Sequence, residues 1–304
     1  MTEPMVPAGA PADGETMLLA GAEPVARSQW QLFRRRFFRH KLAILGLVIL
    51  VVLFVACFGA SWVAPYKNTP DLLALPTGPS WKHPMGVDLV GRDYLTANLY
   101  AGRISLKIGL FVSLISTVLG TLMGASAGYF GGLSEQLLMR FTDFFLLFPG
   151  LAALAIAIKK FGTKDITIIL VLAGLGWMSI ARIVRGQVLA IKEKEFVEAA
   201  RAMGASHKRI IVRHIVPNLV GSIMVNASLA VAGAIIAEST LSFLGYGISP
   251  PQTSWGKLLS DGRESLATKA YLIYFPGVFI ILVTLAVNFL GDGLRDALDP
   301  QAKH

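Results

Sequence analysis

Between Leu42 and Ala64 the chain runs for 23 residues without a formal charge. At about 1.5 Å per residue, a run of that length crosses the hydrocarbon core of a bilayer with some tilt. Five more apolar runs follow, at about 104–130, 137–158, 166–183, 211–241 and 271–290. Together they predict an all-α integral membrane protein with six transmembrane helices. Composition agrees: 54% of residues are apolar and only 15% are charged, although a length of 304 residues would suggest two domains in a soluble protein. The net charge of +9 does not point to nucleic acid, because the basic residues cluster beside the apolar runs, as topology signals do. The single cysteine, Cys57, lies in an apolar run and forms no intrachain disulfide.

The basic clusters orient the spans. Arg34, Arg35, Arg36 and Arg39 precede the first run, and Lys192, Lys194, Arg201, Lys208, Arg209 and Arg213 lie between the fourth and fifth. Both clusters belong in the cytoplasm, which places both termini there and puts the loops 65–102 and 246–270 outside. Residues 1–26 lack Lys and Arg and read as a disordered cytoplasmic tail rather than a signal peptide. Over 27–41, Trp30, Phe33 and Phe37 recur at helical spacing among arginines, which suits an amphipathic helix at the membrane surface as well as a plain anchor for the first span.

The polar island over 190–213 is read as two short helices with a hinge. Lys192 to Met203 is rich in helix formers, Gly204 stands where a helix ends, and Ser206 caps a second helix. Pro217 falls inside the next apolar run and is expected to kink it.

Glu198-Ala199-Ala200, Gly204 and Ile215-Val216-Pro217 resemble the coupling loop of bacterial ABC importer permeases in residue and spacing. Where the family has Ile-x-Leu-Pro, this chain has His214-Ile-Val-Pro217. Three further runs resemble the C-type permease subunit of dipeptide, oligopeptide and nickel importers. They are His83-Pro-Met-Gly-Val-Asp88-Leu-Val-Gly-Arg92-Asp93, Ala237-Glu238-Ser-Thr-Leu-Ser-Phe-Leu-Gly245, and the ending from Asn288 to Pro300. Val87 stands where the family has Thr.

The resemblance implies the type I ABC importer permease fold, with a five-helix core over 103–292 and a cytoplasmic tail over 293–304 opened by Gly291-Asp292. It implies a multi-pass protein of the bacterial inner membrane that forms half of a pore for di- or oligopeptides. The implied partners are a second permease chain, two ATPase chains that carry ATP and Mg, an extracytoplasmic binding protein, and membrane lipid. Nickel or another small solute is the alternative cargo. An ion-coupled secondary transporter is a further alternative, for which Asp143 and Glu238 are the carboxylates to consider.

Site residues follow from both sources. Glu198, Ala199, Ala200, Gly204 and Pro217 are expected to couple to the ATPase; Asp88, Arg92, Asp93 and Trp255 are expected in loops that face the binding protein. Arg140 and Asp143 share a helical face as an ion pair or a substrate contact. Glu238 either lines the path or bonds the turn that follows it. Lys107 is placed to snorkel at the outer end of the second span. His83 with Asp88 and Asp93 is more consistent with a folded loop than with a metal site. Gly124-Ala-Ser126-Ala-Gly128 matches the serine-hydrolase elbow only formally, since it lies within an apolar span. There is no phosphate-binding loop, no catalytic constellation and no bound cofactor to expect.

Overall fold

A computed structural model describes residues 29–298 other than Leu72 and Phe148. The tail over 1–26 and the Asp299-Pro300 ending therefore lie outside the described residues. Among the described residues the regular elements are helices, apart from one isolated bridge between Val87 and Asp93.

Helices α1 (Gln29–Arg39) and α2 (Lys41–Phe58) are separated by His40, whose Nδ1 accepts a hydrogen bond from Ala43 N at 3.1 Å and caps α2. Phe33 stacks on Phe37, and Phe37 is buried with Ala43 and Ala297. Phe33 and Phe37 of α1 thus pack against the end of α12 (Tyr271–Leu298), while Phe38 is left exposed. After the short α3 (Ala60–Val63) and a long loop comes α4 (Tyr94–Phe130). It begins before the expected Ile104, because Asp93 Oδ2 accepts from Thr96 N and Thr96 Oγ1, both at 2.8 Å, and caps the helix there.

The third apolar run is broken. Helices α5 (Gly132–Leu146) and α6 (Gly150–Phe161) meet at 82° beside Pro149. Next are α7 (Asp165–Ile191), α8 (Glu195–Ala202), α9 (His207–Ile210), a π-helical turn (Ile211–Ile215) and α10 (Val216–Phe243). Helix α11 (Trp255–Gly262) precedes α12. Among the described residues five helices are long and apolar enough to cross a membrane, and the α5–α6 pair makes six if it counts as one span. Helix α12 does not stop near Asp292 for a separate tail helix. Gly291 and Gly293 keep it close to α10 and α2: a Cβ on Gly291 would stand 3.1 Å from Ser228 Cβ, and one on Gly293 would overlap Ala43 Cβ.

Small residues set the tightest packing. Gly120, Gly124 and Gly128 lie along one face of α4 against α7, and a Cβ on Gly124 would clash with the Ala181 carbonyl oxygen. In lipid there is no hydrophobic drive between helices, so close backbone approach supplies the attraction. Packing α4, α7 and α10 together fixes the two ends of the bundle, one carrying α8 and the other α11.

Candidate functional site

At one end, α8 lies across the ends of α4 and α7. Its Val197 and Ala200 are buried with Tyr129, Val184, Val188 and Ile210. The Tyr129 hydroxyl and His207 Nδ1 are 2.9 Å apart, which joins α4 to the start of α9. The far side of α8 is open: Glu198, Ala199, Arg201 and Ala202 are exposed, and Met203 is 81% exposed. The Glu-Ala-Ala triplet is therefore split, with Ala200 as anchor and Glu198 and Ala199 presented.

The turn after α8 is rigidly closed. Gly204 N donates to Arg201 O at 3.0 Å and Ala205 N donates to Ala200 O at 3.1 Å, the paired bonds of a Schellman cap. Gly204 has φ +77°, a left-handed conformation that penalises any side chain. Ser206 then caps α9 by accepting from Arg209 N at 3.4 Å. Pro217 is exposed at the start of α10, directly after the π-helical turn. On the α7 side, Arg185 Nε donates to Glu135 Oε1 at 2.6 Å and ties α5 to the same end.

On the exposed side of α5 and α7, the structure re-pairs one expected contact. Asp143 bonds Arg182 of α7 at 2.5 Å, whereas Arg140 is exposed and has no carboxylate in ion-pair reach among the described residues. The spacing of three placed Arg140 and Asp143 on one face, but α7 brings the better-placed guanidinium.

At the α11 end, the four residues expected in partner-facing loops mostly hold those loops together from within. Asp88 Oδ1 accepts from Val90 N and Arg92 N at 3.0 and 2.8 Å, and its Oδ2 accepts from Arg92 Nε at 2.8 Å. Asp93 Oδ1 is 2.9 Å from His83 Nδ1, so His83, Asp88 and Asp93 are committed to loop bonds and do not converge as ligands. Trp255 is fully buried: it stacks on Phe279 and its indole N–H donates to Asn98 O at 3.0 Å. It is buried because α11 folds back onto α4, α10 and α12.

Glu238 is fully buried beside that tryptophan. Its Oε1 accepts from Ser242 Oγ at 2.7 Å and its Oε2 from Ser105 Oγ at 3.4 Å. Ser105 Oγ also accepts from Trp255 N at 3.2 Å, so one carboxyl connects α10, α4 and α11. The serines, Asn98 and Tyr94, whose hydroxyl donates to Leu272 O at 2.5 Å, were not nominated from sequence. Single polar residues scattered through a loop and two apolar runs gave no spacing signal to find them.

Two family models match the chain. Residues 117–304 match the binding-protein-dependent transport system inner membrane component, and residues 28–76 match the N-terminal transmembrane domain of oligopeptide transport permease C. The chain belongs to the binding-protein-dependent inner-membrane permeases.

This permease is 43% identical over 279 residues to the oligopeptide transport system permease protein OppC of Haemophilus influenzae, covering 90% of this chain and 89% of that one. It is 40% identical over 281 residues to OppC of Mycobacterium bovis, with 91% and 96% covered. It is 39% identical over 279 residues to the glutathione transport system permease protein GsiD of Escherichia coli, with 91% and 92% covered. A solved structure of the MetNI methionine ABC transporter in an inward-facing conformation matches with a TM-score of 0.54 at 17% identity, over 64% of this chain and 93% of that chain. That likeness carries the fold alone, which is the type I ABC importer permease fold. The permease is a multi-pass inner-membrane transport component rather than an enzyme.

Proposed function

We propose that this permease is one of two related membrane subunits of an ATP-driven importer, and that the pair carries di- and oligopeptides handed over by an extracytoplasmic binding protein. The supporting observation is near full-length identity to oligopeptide permeases, 43% over 279 residues in one case. The glutathione named for another relative is itself a tripeptide, so both named cargoes fall in one chemical class.

In this reading the α8 end, with its many Lys and Arg, lies in the cytoplasm with both termini. The exposed face of Glu198, Ala199, Arg201 and Met203 docks on an ATPase chain, while Ala200 and the Gly204 turn hold that face at a fixed angle. ATP and Mg belong to two ATPase chains. Their closure pushes α8, and Pro217 with the turn before it passes the movement into α10, which reorients one half of the pore. The α11 end and the loop before α4 receive the binding protein. Arg140, exposed and without an ion pair among the described residues, is a candidate for contact with cargo in the path, as is Glu238.

The test is co-purification of the tagged chain from solubilised membranes, with ATPase and uptake assays. The expected result is recovery of a sister permease and ATPase chains, and tripeptide uptake that stops when ATP is depleted. Gly204→Asp is expected to shed the ATPases or uncouple them, since it forces a side chain into a left-handed residue at the docking edge. A chain that purifies alone, or uptake that follows an ion gradient rather than ATP, would overturn the reading. Nickel uptake without peptide uptake would retain the machine and replace its cargo.

A further inference from the structure

A cavity of about 900 Å³ opens between α2, α4 and the loop before α11, at the end of the bundle away from α8. Arg103 and Lys107, one turn apart on α4, both line it. Lys107 Nζ is 2.6 Å from Asp165 Oδ2. Arg103 is exposed and has no carboxylate within ion-pair distance among the described residues. Two more polar groups on the wall have no hydrogen-bond partner: Asn68 Oδ1 and the hydroxyl of Thr253, a residue only 7% exposed. Both are therefore free to bond a polar group that enters the cavity.

The remainder of the wall is apolar. Phe54 of α2 and Phe111 and Leu114 of α4 line it and are 43%, 47% and 59% exposed. Both α4 residues lie beyond the cations toward the middle of the helix. Depth supports a bilayer setting. Lys107 precedes Tyr129 by 22 residues (129 minus 107) on the same helix. That is about 33 Å of rise, against about 30 Å of hydrocarbon. With Tyr129 at one interface, Arg103 and Lys107 stand at the headgroup level of the other, and Phe111 and Leu114 stand at acyl-chain depth.

We propose that this chamber seats an anionic phospholipid, its phosphate on Arg103 and Lys107 and an acyl chain along Phe54, Phe111 and Leu114. A headgroup hydroxyl donates to Asn68 Oδ1, which is an acceptor only. The match is to a ligand with two parts, a charged head and an apolar tail at successive depths. The half-neutralised pair also keeps net positive charge there, since one carboxylate, Asp165, faces two cations. The site is at the opposite end from the arginines of α1, so it is distinct from any general cytoplasmic attraction to acidic lipid. The inference rests on membrane insertion, which family membership establishes, and not on the peptide reading.

The test uses the whole transporter, purified with its partners, and two photoactivatable lipids with identical diazirine-bearing chains, phosphatidylglycerol and phosphatidylcholine. Cross-linked peptides are mapped by mass spectrometry. The wild type is expected to be labelled around Phe111 and Leu114 more by phosphatidylglycerol than by phosphatidylcholine. Arg103→Gln should cut the phosphatidylglycerol label about fivefold, the effect of one cation near a lipid surface, and Arg103→Lys should retain most of it. Equal labelling by the two lipids in the wild type would overturn the proposal without recourse to any variant. So would label that a tripeptide displaces, which would assign the chamber to cargo. A benzophenone maleimide on Leu114→Cys that photolabels the sister permease would overturn it as well, by showing that protein covers this wall.

Discussion

A glycine can be demanded by conformation or by space, and this chain contains both kinds. Gly204 is left-handed with open surroundings, so its requirement is conformational. Gly124 sits inside a regular helix, and its requirement is the approach of α7, whose Ala181 carbonyl oxygen occupies the space that a Cβ would need. Gly124→Val should force α4 and α7 apart at a cost of about 1–3 kcal/mol. The expected outcome is a lower thermal unfolding midpoint for the purified complex, together with a lower yield. A midpoint equal to wild type would mean that the two helices do not pack as closely as described. Ser116, Gly120, Gly124 and Gly128 recur every fourth residue, a spacing that marks one face of α4 in the sequence itself. Its partner was not legible, because a stripe of small residues does not name the helix it meets. The same limit explains Asp143: a spacing of three nominated Arg140, and only the fold brings Arg182 across from α7.

At the scale of the element, the junction between α9 and α10 is the most informative. A proline inside a helix removes one hydrogen bond and clashes with the carbonyl four residues back, here that of Arg213. The π-helical turn over Ile211–Ile215 absorbs this mismatch, and Asn218 Nδ2 donates to His214 O at 2.7 Å to satisfy one loosened carbonyl. The widened turn stands where the kink is expected, within the span His207–Phe243. Such turns recur at functional positions. Pro217→Ala restores the N–H and removes the clash, so the turn can tighten toward a regular helix and change the angle between α8 and α10. The expected outcome is a complex that assembles and retains ATPase activity but couples it poorly, read as a lower ratio of peptide taken up to ATP hydrolysed. An unchanged ratio would show that the turn transmits nothing. Loss of assembly would assign Pro217 to docking instead.

Over the whole molecule, the apolar runs announced the spans, and the four matching motifs announced the family. What stayed hidden was the inside of the α11 end. A polar stretch such as Ser249 to Trp255 reads as an outward loop, yet its tryptophan is buried because α11 folds back over the ends of α4 and α12. Glu238 sits at the centre of that closure, and a two-variant comparison decides between its structural and transport roles. Glutamine is the same shape as the carboxyl group: its oxygen accepts from Ser242 and its amide donates to Ser105, so the connection of α10, α4 and α11 survives. Leucine leaves both buried hydroxyls without their acceptor, at about 1–3 kcal/mol for each unsatisfied group. Glu238→Gln should therefore retain peptide uptake and protease resistance across 246–270, while Glu238→Leu loses both. The two readouts separate the roles. If glutamine keeps the loop resistant to protease but abolishes uptake, then the charge or the proton of Glu238 acts in transport, and the buried carboxyl belongs to the path rather than to the scaffold.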